Sequence, residues 1–388
     1  EALVGAAIAP CPYGNVSPDC LRHYEALEAG CLPISDRYNA GGPRGDRGYW
    51  RTVLGVEPFP CVDDWAELPA LLDRYAADPV SLQRDANRAG AWWLGYKREL
   101  ALALADDIEA VGGPRAARCP ITVLMPTSSI PSHPDTSLIE DAIRRTRAYP
   151  ELREAEVIVM VDGLHPRHAG RAAAYEEYKR RLIDLCAWHP DFRGCLPLIF
   201  DEHTHQAGMA RRALDVVRTP LVLYQEHDTY PRHEIDWAGV VRACERHDVN
   251  AVTFHIDEFL NPAHRYLMIG EPEDVGGVRL RRHQKWSQRP HVARASWYRQ
   301  VIAEYFGPDA RTMIEDVLWG VIHTRISGGI DPWERWGLWM YYPDDPRSGI
   351  GLVRSGTTDG RGGEDKLPLV ITYPGDTPAG APVPTRRM

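Results

Sequence analysis

Between Pro120 and Asp228 the chain alternates short apolar runs with amphipathic stretches. Pro120-Ile121-Thr122-Val123-Leu124-Met125-Pro126-Thr127 reads as a buried strand closing in a small polar turn. Glu156 to Val161 repeats the pattern and stops at Asp162-Gly163, and Leu196 to Phe200 is a further short strand. Leu221-Val222-Leu223-Tyr224 leaves the Thr219-Pro220 turn and ends in Gln225-Glu226-His227-Asp228. The stretches between carry helical spacing. Leu138, Ile139 and Ile143 share a face before Ala148, Tyr175, Tyr178, Leu182 and Leu185 form a stripe along 171–186, and 207–217 is an alanine-bearing helix. Apolar strands alternating with helices predict a parallel sheet, and such sheets bind ligands beyond the carboxyl ends of their strands. Thr127, Asp162, Glu226 and Asp228 all fall at that end.

The first segment has its own strand, helix, strand pattern: a run over 3–10, a helix over 19–29 with Ser17-Pro18 as its start and Gly30 as its stop, and a strand over 31–35. A long amphipathic helix over 86–107 closes it, and Val111-Gly112-Gly113-Pro114-Arg115 breaks the pattern. The prediction is a partial doubly wound α/β domain over 1–113, a larger α/β domain with a mixed sheet flanked by helices over 118–370, and a Pro-rich tail over 371–388. Past the central strands, 236–246 reads as a helix and 251–255 as a strand. Glu315 and Asp316 fall in the first turn of another helix, where the helix dipole favours acids. The Gly-rich stretch 355–366 reads as a flap that can touch phosphate through Arg361 or Lys366.

Charge changes the picture by exclusion. The 388 residues carry a formal charge of −9, with no basic stripe of the kind a general nucleic-acid binder needs. No apolar run approaches the ~18 residues that span a bilayer. The eight cysteines include no C-x-x-C pair, so the reading is reduced thiols in a cytoplasmic protein without a structural zinc site.

Candidate chemistry begins with Glu226 and Asp228. Residues two apart on a strand share a face, and two convergent carboxylates suit a hard divalent cation, Mn²⁺ or Mg²⁺. The plain alternative is a strand that ends in a solvated loop. His203 and His205 offer a weaker metal reading, unsupported by any H-E-x-x-H helix. Half of the twelve tryptophans lie at Trp286, Trp297, Trp319, Trp333, Trp336 and Trp339. Core packing accounts for most such rings. Trp286, set among Lys285, Ser287, Gln288 and Arg289, is the one expected to offer a face to a sugar.

Two resemblances sharpen these expectations. Ser17-Pro18-Asp19-Cys20-Leu21-Arg22-His23-Tyr24-Glu25-Ala26-Leu27-Glu28-Ala29-Gly30-Cys31-Leu32-Pro33-Ile34 resembles the nucleotide-sugar half-domain of exostosin-type GT-B glycosyltransferases. The resemblance implies that Arg22 faces phosphate and Glu25 a ribose. A working enzyme of that class needs two such lobes, so a scaffold role is the alternative.

The order Pro126-Thr127, Asp162-Gly163, Gln206-Ala207-Gly208-Met209-Ala210-Arg211-Arg212 and Glu226-His227-Asp228 resembles the GT-A nucleotide-sugar glycosyltransferases of the family-two type. It implies that Pro126, Thr127 and Asp162 hold the nucleoside, that Gln206 and Arg211 belong to the donor site, and that Asp228 with Glu226 binds the metal and diphosphate. Two departures stand out: Glu226 replaces the first Asp of D-x-D, and Arg212 replaces an Asn. Asp228 is therefore the safer ligand. Ala293-Arg294-Ala295-Ser296-Trp297-Tyr298 followed by Glu315-Asp316 matches the acid pair of inverting members, which implies Asp316 as the base with Glu315 as the alternative. The expected partners are a nucleoside-diphosphate sugar and a glycan or other hydroxyl acceptor. A metal-dependent nucleotidyltransferase and a non-catalytic sugar- or nucleotide-binding protein are the rival readings.

Overall fold

The structure, a computed structural model, describes residues 3, 5–14, 17–38, 48–112, 119–129, 134–231, 234–254, 262–342 and 352–354. The expected flap over 355–366, with Arg361 and Lys366, and the expected tail lie outside these residues.

In chain order the elements begin with β1 (Ile8–Cys11), α1 (Leu21–Glu28), β2 (Leu32–Asp36), α2 (Gly48–Leu54), β3 (Cys61–Val62), α3 (Leu68–Ala77) and α4 (Pro79–Gly112). Next come β4 (Ile121–Thr127), α5 (Ser137–Arg147), β5 (Glu156–Val161), α6 (Ala172–Trp188), β6 (Cys195–Ile199), α7 (His205–Val216) and β7 (Leu221–Tyr224). They are followed by β8 (Thr229–Pro231), α8 (Trp237–Cys244), β9 (Ala251–Thr253), β10 (Met268–Val275), β11 (Val278–His283), β12 (His291–Arg294) and α9 (Ala295–Tyr305). The last are α10 (Ile314–Ser327), α11 (Trp333–Trp336), β13 (Leu338–Tyr341) and β14 (Leu352–Arg354). The fold class is α/β with mixed strand pairing and flanking helices.

Two compact units divide the chain. Unit 1 holds the described residues of Glu1–Ser129, Pro134–His227 and Arg294–Ile314. Its larger sheet runs β7-β4-β5-β6, all parallel. All seven residues of β4 and all four of β7 are buried, which is why these strands read as unbroken apolar runs. The expected N-terminal strand-helix-strand forms a small parallel sheet, β1-β2-β3. Its core joins Leu27, Leu32, Trp50, Phe59 and Tyr75, with Trp92 and Trp93 of α4 packed on it.

Helix α4 spans 34 residues, longer at both ends than the spacing predicts. Asp78 explains the early start: its Oδ1 accepts the Ser81 N–H at 3.0 Å, a side-chain cap placed before Pro79 at the first helical position. Helix α4 packs on α6 and β6. Asn87 Nδ2 donates to the Glu176 carbonyl at 2.9 Å and to its carboxylate at 2.8 Å. Arg98 donates to both Glu156 oxygens and to the Val216 carbonyl.

Unit 2 holds the described residues of Asp228–Ala293 and Glu315–Met388. Its strands run β10-β11-β13-β9-β12, with β13 parallel to β9 and the other pairs antiparallel. A two-residue turn joins β10 to β11 through Gly276 and Gly277 at φ 66° and 87°. Both values lie in the left-handed region that hairpin turns of this type require. A Cβ on Gly276 would also meet Ala243 N of α8 at 2.7 Å.

Candidate functional site

In unit 1 the carboxyl ends of β4 and β5 bring Thr127 and Asp162 to neighbouring positions, because Thr127 and Val161 are in register. Thr127 is buried, and its hydroxyl is hydrogen-bonded to the Tyr178 hydroxyl. The Pro126 carbonyl accepts from His227 Nδ1 at 3.2 Å.

Asp162 is an anchor. Its Oδ1 accepts the N–H groups of Gly163 at 2.8 Å and Thr204 at 2.7 Å. Its Oδ2 accepts the His205 N–H at 3.1 Å and lies 2.8 Å from His203 Nδ1. The main chain of Glu202 and His203 passes so close to Gly163 that a Cβ there would sit 2.0 Å from the Glu202 carbonyl carbon. The Asp162-Gly163 pair thus fixes the segment that starts α7. His205, the first residue of α7, has φ 61°, an uncommon value for a residue with a Cβ. Strain of that kind persists where surrounding contacts hold it, and two contacts are visible here: the Asp162 carboxylate on its N–H, and its Nδ1 accepting the Gln206 N–H at 2.9 Å.

Gln206 follows in the first turn of α7, and its Nε2 donates to Glu226 Oε1 at 2.6 Å. Its own Oε1 is enclosed without a hydrogen-bond partner. Arg211 points elsewhere. Its Nη2 donates to the carbonyls of Ile302, Phe306 and Gly307, closing the C-terminal end of α9. The guanidinium that the resemblance places in the donor site therefore works as a cap in this conformation.

His165 joins His203 and His205 here, a placement that was not foreseen. The His203 ring lies 4.7 Å from that of His165 and 5.4 Å from that of His205. The His165 pKa is lowered by loss of hydration first and by the His203 ring second. The missed signal is Asp162-Gly163-Leu164-His165, an imidazole three residues past a strand-end acid. No group of three or more His, Cys, Asp or Glu that could hold a metal is assembled among the described residues, which weighs against the zinc reading of His203 and His205.

In unit 2 Asp228 is 4% exposed, and no described residue donates a hydrogen bond to it or pairs with it. A buried carboxylate is costly without a counter-charge, so Asp228 fits a cation. One or two carboxylates completed by substrate phosphates is how Mg²⁺ is commonly held, and such a site needs no assembled protein cage.

The loop between β11 and β12 holds Lys285, Trp286, Gln288 and Arg289. Trp286 is 2% exposed, with its ring 4.6 Å from that of buried His291. Its face is closed to a sugar in this conformation, against the expectation, because the indole turns inward beside His291; Gln288 of the same polar loop is buried as well. Trp319, on α10, is the half-exposed ring instead. Its ring stacks with His323 at 5.9 Å, and Lys285 Nζ lies 5.6 Å from its centroid. Trp333, Trp336 and Trp339 are core.

Glu315 and Asp316 occupy the first turn of α10, as the pattern predicts. Glu315 Oε2 accepts the Gln288 N–H at 3.0 Å, whereas Asp316 is exposed. Burial first, and Arg289 as the opposing charge, lower the Lys285 pKa to about 8 against the pull of Glu315.

In the N-terminal sheet, Arg22 and Glu25 are exposed on α1, opposite buried His23, Ala26 and Leu27. The acid at the end of β2, Asp36, is occupied by the Tyr13 N–H and the Trp65 indole, both at 2.6 Å.

No known protein family and no curated protein matches the chain. Among solved structures, it is similar to the mannosyltransferase PcManGT from Pyrobaculum calidifontis, solved with GDP-Man and Mn²⁺. The identity is 14%, covering 72% of this chain and 70% of that one, with a TM-score of 0.37. It is also similar to S. aureus TarS at 10% identity, over 58% of this chain and 35% of that one, with a TM-score of 0.36. A TarS 1–349 structure in complex with UDP gives 10% identity over 60% and 59%, at a TM-score of 0.35. Likeness this faint leaves the reaction to be argued from the chain's own residues. No helix among the described residues is long and apolar enough to cross a membrane.

Proposed function

We propose that the chain is a metal-dependent glycosyltransferase that moves a sugar from a nucleoside-diphosphate sugar to an acceptor hydroxyl, with inversion. The observation that carries this reading is the division of labour at the start of α10. One acid, Glu315, is tied to the main chain at Gln288, and the next, Asp316, is exposed and open to a substrate. The parallel strand ends that present Thr127, Asp162 and, beyond β7, Glu226 add a ligand-binding edge of the kind open α/β sheets use.

In this mechanism Asp316 accepts the proton of the attacking hydroxyl. A divalent cation, Mn²⁺ or Mg²⁺, would be held by Asp228, and by Glu226 where Gln206 releases it; it supplies charge neutralisation for the departing nucleoside diphosphate. Pro126, Thr127 and Asp162 form the nucleoside end, with Asp162 acting by holding Thr204 and His205 in place. Gln206 keeps Glu226 oriented. Arg211 supports α9, and Trp286 packs against His291 in the loop that holds Lys285.

A screen of nucleotide sugars for hydrolysis and for thermal stabilisation, with and without Mn²⁺, tests the reading. Mn²⁺-dependent turnover of at least one donor is the expected result, and absence of both turnover and stabilisation across the set would reject it. The Gln206–Glu226 bond favours one rival, a non-catalytic nucleotide-sugar binder, because it occupies a carboxylate that the metal would need. Stabilisation without turnover would select that rival.

A further inference from the structure

We propose that one face of α10, carrying Asp316, Trp319, Gly320 and His323, together with Tyr266, is an acceptor platform in unit 2 that takes a carbohydrate of two or more pyranose rings. The role of Asp316 in it rests on the transfer reading, and the platform names the acceptor class which that reading leaves open.

Positions three, four and seven residues apart lie on one side of a helix, so Asp316, Trp319, Gly320 and His323 line a single face of α10. Ring contacts extend this face to the segment before β10. Tyr266 is 43% exposed, and its ring lies 6.2 Å from that of His323. The half-buried His323 ring lies in turn 5.9 Å from that of half-exposed Trp319, at an interplanar angle of 29°. At that separation the imidazole is offset from the indole, so it lengthens the aromatic surface and does not cap it. Lys285 Nζ, over the indole at 5.6 Å, adds a hydrogen-bond donor at that end.

Gly320 and His323 both point to a ligand. Gly320 lies inside α10, and a Cβ added there would meet nothing within 4 Å. Glycine inside a helix weakens it relative to alanine, and here no neighbour needs the missing side chain. It leaves bare backbone between Asp316 and His323, a slot where a substrate can approach the helix closely. The His323 imidazole makes no hydrogen bond among the described residues, and its Nδ1 is enclosed without a partner. With no hydrogen bond to fix it, the ring can turn to a ligand hydroxyl, donating from one nitrogen or accepting at the other. Flat aromatic surfaces with polar groups at their edges suit a pyranose, which offers C–H faces and a rim of hydroxyls. Length sets the number of sugars. The seven residues from Asp316 to His323 rise about 10 Å, about the span of two linked pyranoses. With the accepting hydroxyl at Asp316, the first sugar lies over Gly320 and Trp319, and the second over His323 and Tyr266.

The test is saturation-transfer NMR and tryptophan fluorescence on the full chain with six sugars: D-glucose, N-acetyl-D-glucosamine and D-mannose, and their disaccharides cellobiose, chitobiose and α-1,2-mannobiose. At least one disaccharide should bind, about tenfold or more tightly than its monosaccharide. Trp319→Ala should weaken that binding about tenfold or more, and His323→Ala and Tyr266→Ala several-fold. Gly320→Leu should weaken it as strongly as Trp319→Ala, with a urea midpoint at or above the wild-type value, because leucine is the better helix former. That combination separates a filled slot from a damaged fold, and it decides the matter if Trp319→Ala misfolds. Trp188→Ala, which removes a 68% exposed indole at the end of α6, should bind as wild type. Three results would each overturn the platform: no disaccharide binds, none binds better than its monosaccharide, or Gly320→Leu binds like wild type. Loss of nucleoside-diphosphate binding in Trp319→Ala, with disaccharide binding intact, would overturn it as well and give the rings to the donor. Disaccharide binding that depends on Trp319 and Gly320, in a protein that turns over no nucleotide sugar, would leave the platform standing and remove the transfer reading. Turnover with an unchanged acceptor KM in Gly320→Leu would keep transfer and remove the platform.

Discussion

Glu315 Oε2 accepts the main-chain N–H of Gln288 at 3.0 Å, and Asp316, its neighbour in the same helical turn, faces solvent. The two acids are therefore not interchangeable. Glu315 positions the loop, and Asp316 is open to take a proton. Asp316→Asn is expected to lower transfer by about a hundredfold or more while leaving nucleotide-sugar affinity near wild type. Glu315→Gln keeps an oxygen that can accept from Gln288 and should retain far more activity. Steady-state rates together with donor calorimetry check both, and an Asp316→Asn enzyme with full activity removes Asp316 from the mechanism.

Asp228 is buried and unpaired among the described residues, so its charge invites a cation. Nucleoside-diphosphate affinity should fall on adding chelator and recover with Mn²⁺. In Asp228→Asn the affinity should be low with or without Mn²⁺. The neutral amide removes a charge with no partner, so the variant should be at least as stable to urea as the wild-type protein. Identical affinity with and without chelator in the wild-type protein would reject the metal assignment.

Gly163→Ala tests whether the Asp162 anchor matters. The new methyl would sit 2.0 Å from the Glu202 carbonyl carbon, backbone against backbone, so the 202–205 segment must move. A cost of about 2–3 kcal/mol in urea unfolding is expected, with weakened donor binding. Gly170→Ala, where nothing lies within 4 Å of the added carbon, is the matched control and should be near neutral.

The parallel strands of unit 1 were legible because burial of β4 and β7 along their whole length leaves an unbroken apolar run. Helix α10 was legible from its acids and the apolar residues that follow. Hairpin β10–β11 was not, since most of β10 is half or fully exposed and its composition resembles a loop; Gly276-Gly277 was the signal passed over. Asp162 was placed at the correct strand end, but what it holds was hidden, because its donors come from Thr204 and His205 some forty residues later. Trp286 and Trp319 show the same limit. Polar neighbours in sequence do not report which way a ring turns.

Acid should loosen unit 2. His283 and His291 are buried, and loss of hydration lowers both pKa values to about 4. Above the ordinary histidine value both rings are neutral folded or unfolded, so they add no pH dependence there. As pH falls below about 6.5 the unfolded chain gains protons that the folded chain refuses, and stability drops until about pH 4. Each ring can account for a loss of about 2–3 kcal/mol over that window. Urea midpoints between pH 7 and pH 4.5 should fall, and the fall should be shallower in His291→Phe. Equal slopes in the two proteins would show that His291 does not titrate with unfolding.

The role of α4 can be separated from any remnant activity of the N-terminal sheet. Asn87 meets buried Glu176 on α6, and Glu176 is paired with Lys179 at 3.0 Å, so one helix of the first segment completes a polar group inside the second. Arg98, whose side chain is 12% exposed, ties Glu156 at the start of β5 to the Val216 carbonyl at the end of α7. Removing one partner of such a group leaves the others enclosed, a loss of about 3 kcal/mol for a buried charge. Arg98→Ala and Asn87→Ala should therefore each lower the urea midpoint, Arg98→Ala more. Arg22→Ala and Glu25→Ala, on the exposed face of α1, should leave both stability and transfer unchanged if the segment serves as a scaffold. Loss of transfer without loss of stability in Arg22→Ala would instead assign the N-terminal sheet a ligand of its own.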